Sequence, residues 1–217
     1  TCGVWNSAEE IAANPHFSDD APGGIRIVDT NNDGSLTPED RVALGTPYPD
    51  FTWGITNTFQ IKDFDISFLI QGVQGITVLN GDVYYNETKK WNKKYTKNRW
   101  VSAEHPGDGK TPYQNVKTGH DLMLTDYPLQ NASYACLRNF TVGYTLPATA
   151  ARKIKLSGVR FYVSGSNLFY IWGSGYKGIN PESRMTSGDY SSAMISGYQR
   201  GGFPLTSTIS AGFDINF

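Results

Sequence analysis

A segment near the start of the chain has the oxygen-bearing side chains and the spacing of a calcium-binding loop. Its residues, DTNNDGSLTPED at 29–40, fit the pattern D-x-[DN]-x-[DN]-G that opens an EF-hand loop. Oxygen ligands at alternate positions surround a hard cation, and the glycine permits the sharp turn. The pattern predicts a metal site formed by the side chains of Asp29, Asn31, Asp33, Thr37 (directly or through water) and Asp40, and by the backbone carbonyl of Ser35.

The last ligand position of this loop departs from the usual pattern. Asp40 stands where EF-hands have a bidentate glutamate, and its shorter side chain weakens the predicted site. Residues 25–28 before the loop are expected to be extended, so the segment is not a complete EF-hand. We expect Ca²⁺, with Mg²⁺ as the alternative, because Mg²⁺ prefers fewer protein ligands. The metal would make a loop rigid. The other interpretation is an Asx-rich turn without metal.

Aromatic side chains in the long polar stretches are the second group suited to binding a ligand. Trp91, Trp100 and Tyr190 are candidates for stacking on a sugar ring or packing against a peptide. The alternatives are an aromatic belt at a membrane interface and packing between loops. The same alternatives apply to Tyr84, Tyr85, Tyr176 and Tyr198.

Catalytic motifs and nucleic-acid-binding features are absent from the sequence. His16, His105 and His120 are scattered, and no zinc-protease, nucleophile-elbow or phosphate-loop pattern occurs. The net charge is −1, which gives no basic surface for nucleic acid. Cys2 and Cys136 are the only cysteines, and their separation predicts neither a disulfide framework nor a zinc site. We therefore expect a protein that is not an enzyme.

Short helices are expected to flank the predicted metal loop in residues 1–50. The capping box at 7–10 predicts a helix to about Ala13, and a frayed surface turn is the alternative. Thr37 and Pro38 predict a second helix that runs to about Leu44 and stops at Gly45.

From residue 51 onward, the alternation of apolar and polar residues predicts long β-strands. Residues 51–61 and 64–71 alternate on either side of Lys62 and Asp63, which indicates a tight hairpin. Further strands are predicted at about 133–146, from 159 and over 205–217, with a β-bulge near Arg138 and Asn139, where the apolar parity changes. Abundant aromatic residues and glycine in a chain of mean hydropathy −0.40 fit an all-β protein.

The connections between these strands alternate in length: short, long, short, long. In an up-and-down sheet, every long loop then falls at one end of the sheet, as in outer-membrane barrels. The predicted strands also reach the roughly 9–11 residues of a tilted membrane crossing. Since the smallest such barrels have about eight strands, the five predicted here need further strands, which we expect upstream in the same polypeptide.

Several motifs in this order resemble the C-terminal end of SusC/RagA-type TonB-dependent transporters. They are GGIRIVDTNNDGSLTPEDRVALGTPYPDFTWGI, FDISFLIQGVQG, SYACLRNFTVGYTLP, VRFYVSGSNLFYI and GINPES. The resemblance covers nearly the whole chain from Gly23 to Phe217. Ala135 and Cys136 depart from it, since the family usually has leucine and a basic residue there.

The resemblance implies the fold and role of a larger protein. The expected fold is all-β, with residues 51–217 as the last five strands of a transmembrane barrel of about 22 strands and residues 1–50 as an extracellular loop segment. The implied function is import of oligosaccharides or peptides across the outer membrane of a Gram-negative bacterium. Implied partners are an upstream plug and barrel part, TonB acting through that missing part, a SusD-like surface lipoprotein and membrane lipid. Long loops would be extracellular and the C-terminus periplasmic. The alternatives are a secreted, calcium-stabilised β-sandwich that binds carbohydrate and, third, a surface adhesin.

Overall fold

The computed structural model describes residues 1–81, 97–113, 125–183, 197–199 and 202–217. In chain order the strands are β1 (Phe51–Ile61), β2 (Phe64–Gln74), β3 (Thr77–Asn80), β4 (Leu129–Asn131), β5 (Tyr134–Thr145), β6 (Gly158–Trp172), β7 (Tyr198–Gln199) and β8 (Thr208–Asn216). The helices are α1 (Ala8–Ala12), a 3-10 helix (Pro38–Asp40) and α2 (Ala148–Lys153). Within these ranges, none of the helices is long and apolar enough to cross a membrane.

The chain divides into two compact units. The first comprises Thr1–Pro47, Thr77–Gln130 and Arg184–Gly201, and the second comprises Tyr48–Ile76, Asn131–Ser183 and Gly202–Phe217. The second unit contains a five-stranded sheet in the order β1-β2-β5-β6-β8, in which all neighbours are antiparallel. The predicted all-β fold is confirmed, and so is the hairpin at 51–71, where β1 and β2 are joined by Lys62 and Asp63.

The two faces of this sheet differ in chemistry. Residues opposite each other on neighbouring strands share a face, and the register aligns Ile55 with Ile70, Ile70 with Leu137, and Leu137 with Phe169. We call this side the apolar face; its large side chains are exposed, among them Phe51, Ile55, Phe59, Ile61, Phe64, Phe161, Val163, Phe169, Ile209 and Phe213. The opposite side, which carries Thr56, Asp65, Gln71, Arg160 and Asp214, is the polar face.

The predicted bulge lies where the sequence parity changes. Leu137 pairs with Ile70, and Asn139 pairs with Leu69, so Arg138 is an extra residue in β5 relative to β2. The extra residue turns the following apolar side chains back to the apolar face. On the other side of β5, the register with β6 also shifts between Leu137 and Asn139, and Asn167 of β6 adopts a left-handed φ of 55°.

Connection lengths follow the predicted alternation. β1–β2 and β5–β6 are joined by short segments at one end of the sheet, and the long segments that follow β2 and β6 leave from the other end. The β5–β6 connection contains α2, whose Ala151 is fully buried. Sequence patterning predicted only a compact connection there.

The first unit has its own small core. Val4 and Ile25 form a β-bridge and are buried with Trp5. Arg26 lies 4.9 Å from the centre of the Trp5 ring and pairs with Glu10 at 3.0 Å. In the small sheet β4-β3-β7, β3 and β4 lie in the first of the two predicted long loops and β7 lies in the second. The predicted first helix is present as α1, with the Ser7 hydroxyl accepting a hydrogen bond from the Glu10 N–H.

Candidate functional site

Hydrogen bonds from its own backbone shape the predicted metal loop. The two carboxylate oxygens of Asp29 accept hydrogen bonds from the N–H groups of Asn32 at 2.7 Å and Gly34 at 2.8 Å. Asp33 accepts one from the Ser35 N–H at 2.8 Å. Gly34 has a φ of 86°, which a residue with a side chain rarely adopts. The aspartates and the glycine are therefore needed for the turn itself, whether or not a cation binds.

Asp40 closes the loop by capping the 3-10 helix. Its carboxylate accepts hydrogen bonds from the N–H of Thr30 at 2.7 Å and of Thr37 at 2.8 Å. The Thr37 hydroxyl in turn accepts one from the Glu39 N–H. After Asp40 the backbone of Arg41 is extended, so the helix predicted to reach Leu44 is wrong in length. Because the Asp40 carboxylate is bonded to the N–H groups of both Thr30 and Thr37, Asp40 closes the loop and the helix ends there.

The same contacts stabilise the ionised form of Asp40. The hydrogen bond from the Thr37 N–H, followed by that from Thr30, holds the pKa of the Asp40 carboxyl below its ordinary value of 3.8. A carboxyl whose pKa is lower in the folded state stabilises the loop at pH values above the unfolded pKa. This contribution is lost as the pH falls through the lowered, folded-state pKa.

The donor chemistry of the loop fits a hard cation. Asp29, Asn31, Asp33, Ser35 and Thr37 supply only oxygen ligands, from carboxylate, amide, carbonyl and hydroxyl groups. No group of three or more His, Cys, Asp or Glu side chains gathers at a common point in the part of the chain that the structure describes. Calcium binding therefore stays a prediction, and it would need amide, carbonyl and hydroxyl oxygens as ligands in addition to the carboxylates.

Of the three leading aromatic candidates, Trp100 lies within the described residues. Trp91 and Tyr190, like Tyr84 and Tyr85, lie outside them, whereas Tyr176 and Tyr198 are described and buried. The Trp100 indole donates a hydrogen bond to the Asn6 side chain at 3.2 Å, and its ring meets Tyr113 edge-on with centroids 6.2 Å apart. A side chain at Gly23 would collide with the Trp100 ring. These contacts are those of a packed structural residue, as in the alternative of loop packing.

A polar cluster that sequence patterning did not predict surrounds Arg138. Its guanidinium donates hydrogen bonds to Gln71 of β2 at 3.2 Å, to Asn167 of β6 at 2.8 Å and to Tyr170 of β6 at 3.1 Å. It also pairs with Glu182 at 2.7 Å. The guanidinium thus joins three strands and the segment after β6. The parity change at the bulge was the signal that marked Arg138.

A second ionic contact spans the polar face near the short connections. Arg160 of β6 forms two hydrogen bonds with Asp65 of β2, at 3.0 and 2.7 Å, and a longer one with Asp214 of β8. β5 runs between β2 and β6, and Gly143 lies beneath the pair. A side chain at Gly143 would lie 2.3 Å from the Asp65 carboxylate and 2.6 Å from the Arg160 guanidinium.

A row of aromatic rings lies at the long-loop end of the polar face. Tyr134, Tyr170, Trp172 and Tyr176 follow one another with centroid separations of 6.1, 6.4 and 6.2 Å. Tyr134 and Tyr176 are buried, whereas Trp172 is 43% exposed. Of these residues, only Tyr176 was among the aromatic residues considered from the sequence.

Comparisons with known proteins identify the kind of molecule to which this chain is similar. The chain is 29% identical over 225 residues to TonB-dependent receptor P26 of Formosa agariphila, a match that covers 99% of the chain and 22% of that receptor. It is 26% identical over 192 residues to TonB-dependent receptor SusC of Bacteroides thetaiotaomicron, covering 88% of the chain and 17% of that receptor. No protein-family model matches the chain.

A solved structure shares the fold. The RagAB peptide importer in its open-open state superposes with a TM-score of 0.63 at 17% identity, covering 94% of this chain and 20% of that one. The chain thus spans about a fifth of the length of the proteins it matches. The family resemblance predicted from the motifs is confirmed, as is the expectation that the chain is not an enzyme, because these relatives are receptors and transporters.

Proposed function

We propose, from its similarity to TonB-dependent receptors that include SusC and from the fold that it shares with the RagAB importer, that this chain forms part of the wall of an outer-membrane active importer. The importer would take up oligosaccharides or peptides with energy supplied through TonB. The chain would contribute five strands to a barrel of about 22. Its plug, its TonB-contacting segment and its other strands would belong to the remainder of the same polypeptide.

The observation that carries the proposal is the asymmetry of the five-stranded sheet. Phe161, Val163 and Phe169 on the apolar face are each more than half exposed, while the polar face carries the Asp65–Arg160 and Arg138–Glu182 ion pairs. Contact with lipid stabilises apolar side chains, whereas charged side chains are more stable in a hydrated lumen. Strands of 11, 11, 12, 15 and 9 residues are long enough to cross the hydrocarbon layer.

The outer strands of the sheet support the same conclusion. Among the described residues, β1 and β8 each pair with one neighbour only. An unpaired strand edge in lipid leaves backbone groups without partners at a cost of several kcal/mol each. Further strands are therefore needed on both sides. The proposed orientation places the long loops outside the cell and the short connections in the periplasm.

A surface lipoprotein is the proposed partner at the extracellular end. The solved structure of similar fold is that of the RagAB peptide importer, and SusC is among the relatives of similar sequence. By analogy, we propose a SusD-like lipoprotein that covers the long loops as a lid. Calcium, where it binds residues 29–40, would make one of these loop segments rigid.

A secreted carbohydrate-binding β-sandwich is the alternative function. A sandwich buries one face of each sheet against another sheet. Here Ile55, Ile61 and Phe213 on the apolar face are 51, 60 and 65% exposed. That exposure favours the membrane barrel.

Peptide mass mapping of the natively expressed protein tests the proposal. We expect peptides of this chain in washed outer membranes, in one large polypeptide with plug and upstream barrel sequences, together with a SusD-like lipoprotein. A stand-alone species of about 24.0 kDa in the soluble fraction would contradict the barrel and favour the sandwich.

A further inference from the structure

The Arg138 side chain of β5 contacts residues on two other strands and one residue in the segment after β6. As the extra residue of the bulge, it adds its side chain to the polar face, where Gln71, Asn167 and Tyr170 accept hydrogen bonds from it. Its remaining contact is to Glu182, ten residues beyond the end of β6 at Trp172. The bulge thus directs a cation toward a segment outside the sheet.

Glu182 is held firmly in the position that receives this cation. Its carboxylate oxygen accepts hydrogen bonds from Arg138 at 2.7 Å and from the Tyr170 hydroxyl at 2.9 Å. Its backbone N–H donates to the Asn180 side chain at 2.9 Å, and Pro181 beside it is almost fully buried. The Arg138 and Glu182 side chains are only 22 and 26% exposed. Solvent therefore screens this ion pair less than a pair at the open surface.

The returning side of the same loop is also tied down. The Asn180 side chain donates a hydrogen bond to the Phe203 carbonyl at 3.1 Å. The Ser207 hydroxyl donates one to the Asn167 carbonyl at 2.7 Å. Asn167 is the residue of left-handed φ that also accepts from Arg138. The outgoing side of the loop therefore contacts Arg138 through Glu182, and the returning side contacts Asn167 through Ser207. Arg138 and Asn167 are the bulge residue and the residue of left-handed φ.

We propose that the Arg138–Glu182 ion pair is a latch that fastens residues 173–183 across the polar face, so that the base of this loop lines the passage instead of projecting freely from the barrel rim. That the loop base lines a passage rests on the proposed function, whereas the contacts that form the latch are independent of it. Arg138 is thus a positioning residue for the loop base.

Hydrogen–deuterium exchange on the detergent-extracted native protein tests the latch. In Glu182→Gln we expect the amides of residues 173–183 to exchange about tenfold faster, the factor that corresponds to losing one hydrogen bond to a charged group. The exchange rates of amides in β2 and in the half of β6 that follows the β5–β6 connection should be unchanged. The matched control is Glu104→Gln, which removes an exposed carboxylate that is hydrogen-bonded to Ser102 and should leave residues 173–183 as in the wild type.

A second variant separates a shared latch from two unrelated effects. Arg138→Met should accelerate the same amides, and it also removes the hydrogen bonds to Gln71, Asn167 and Tyr170. The double variant should exchange no faster than the more affected single variant, because both substitutions remove the same ion pair. Unchanged exchange in Glu182→Gln, or factors that multiply in the double variant, would overturn the latch. Because exchange is measured on purified protein, this result is independent of whether the protein transports a solute, and the membrane localisation test alone decides the proposed function.

Discussion

At the scale of single residues, the carboxylates of the loop at 29–40 combine two roles. Asp29 and Asp33 organise the turn by accepting backbone N–H groups, and they are also the predicted charged ligands of a cation. A bound Ca²⁺ would neutralise carboxylates that already lie close in sequence. The turn is thus formed by the side chains that would bind the metal.

Removing both aspartates should abolish calcium binding by this loop. For Asp29→Ala combined with Asp33→Ala, we expect the bound calcium measured by elemental analysis of the purified protein to fall by one ion per chain, because the remaining neutral oxygens attract a hard cation weakly. Asp19→Ala combined with Asp20→Ala is a control that removes the same charge elsewhere. Equal calcium content in the variant and the wild type would show that the loop is an Asx-rich turn only.

The sequence could predict this loop but not the cluster around Arg138. The hydrogen bonds of the loop join residues two to ten positions apart, so a short motif contains all the partners. The partners of Arg138 lie 67, 29 and 44 positions away, at Gln71, Asn167 and Glu182. Only the fold brings such residues together, and no local pattern encodes their contacts.

At the scale of elements, alternation predicted the long strands and missed the short ones. β1, β2 and β5 lie within three residues of the predicted ranges, because one side of each strand is consistently apolar. β3, β4 and β7 contain four, three and two residues, which is too short for a period of two to be recognised. β8 begins at Thr208 rather than at the predicted residue 205.

Gly143 should be intolerant of even one methyl group. In Gly143→Ala the new Cβ would lie 2.3 Å from the Asp65 carboxylate, so we expect a loss of about 1–3 kcal/mol in unfolding free energy, as in other overpacked sites. Gly54→Ala is the matched control within a strand, because its Cβ meets nothing closer than 3.8 Å. Urea unfolding in lipid vesicles measures both variants. Equal destabilisation of the two variants would show that the lack of space at Gly143 is not the cause of the loss of unfolding free energy.

Neighbouring positions on β6 should respond oppositely to a charge. Val163 lies on the apolar face and is 53% exposed, while Ser164 lies on the polar face. Val163→Lys should cost about 2–4 kcal/mol of stability in the bilayer, whereas Ser164→Lys should cost little, because in the proposed barrel the polar face would line a hydrated lumen. The same unfolding experiment compares them. Similar costs for both would contradict the assignment of the apolar face to lipid.

At the scale of the whole molecule, the chain is suited to a larger assembly. The apolar face is uncovered, and β1 and β8 have unpaired outer edges among the described residues. A sheet of this kind associates readily with other chains in water. The exposed apolar face and the two strand edges are the surfaces that lipid and further strands would cover in the proposed barrel.

Residues 1–217 expressed alone should accumulate as an insoluble species. We expect the chain to sediment from detergent-free lysate and to elute in the void volume after refolding without lipid, because its apolar face and strand edges have no partners. Analytical ultracentrifugation distinguishes the outcomes. A soluble monomer of 24.0 kDa would favour the β-sandwich module instead.

The ion pair between Asp65 and Arg160 also has a consequence for how the sheet assembles. It joins residues 95 positions apart across an intervening strand, so it forms only after β2, β5 and β6 have aligned. A slip of one residue would turn Arg160 toward the acyl chains and leave Asp65 alone. A contact that forms this late contributes little to the folding transition state. It should therefore act chiefly by slowing the unfolding of the assembled sheet.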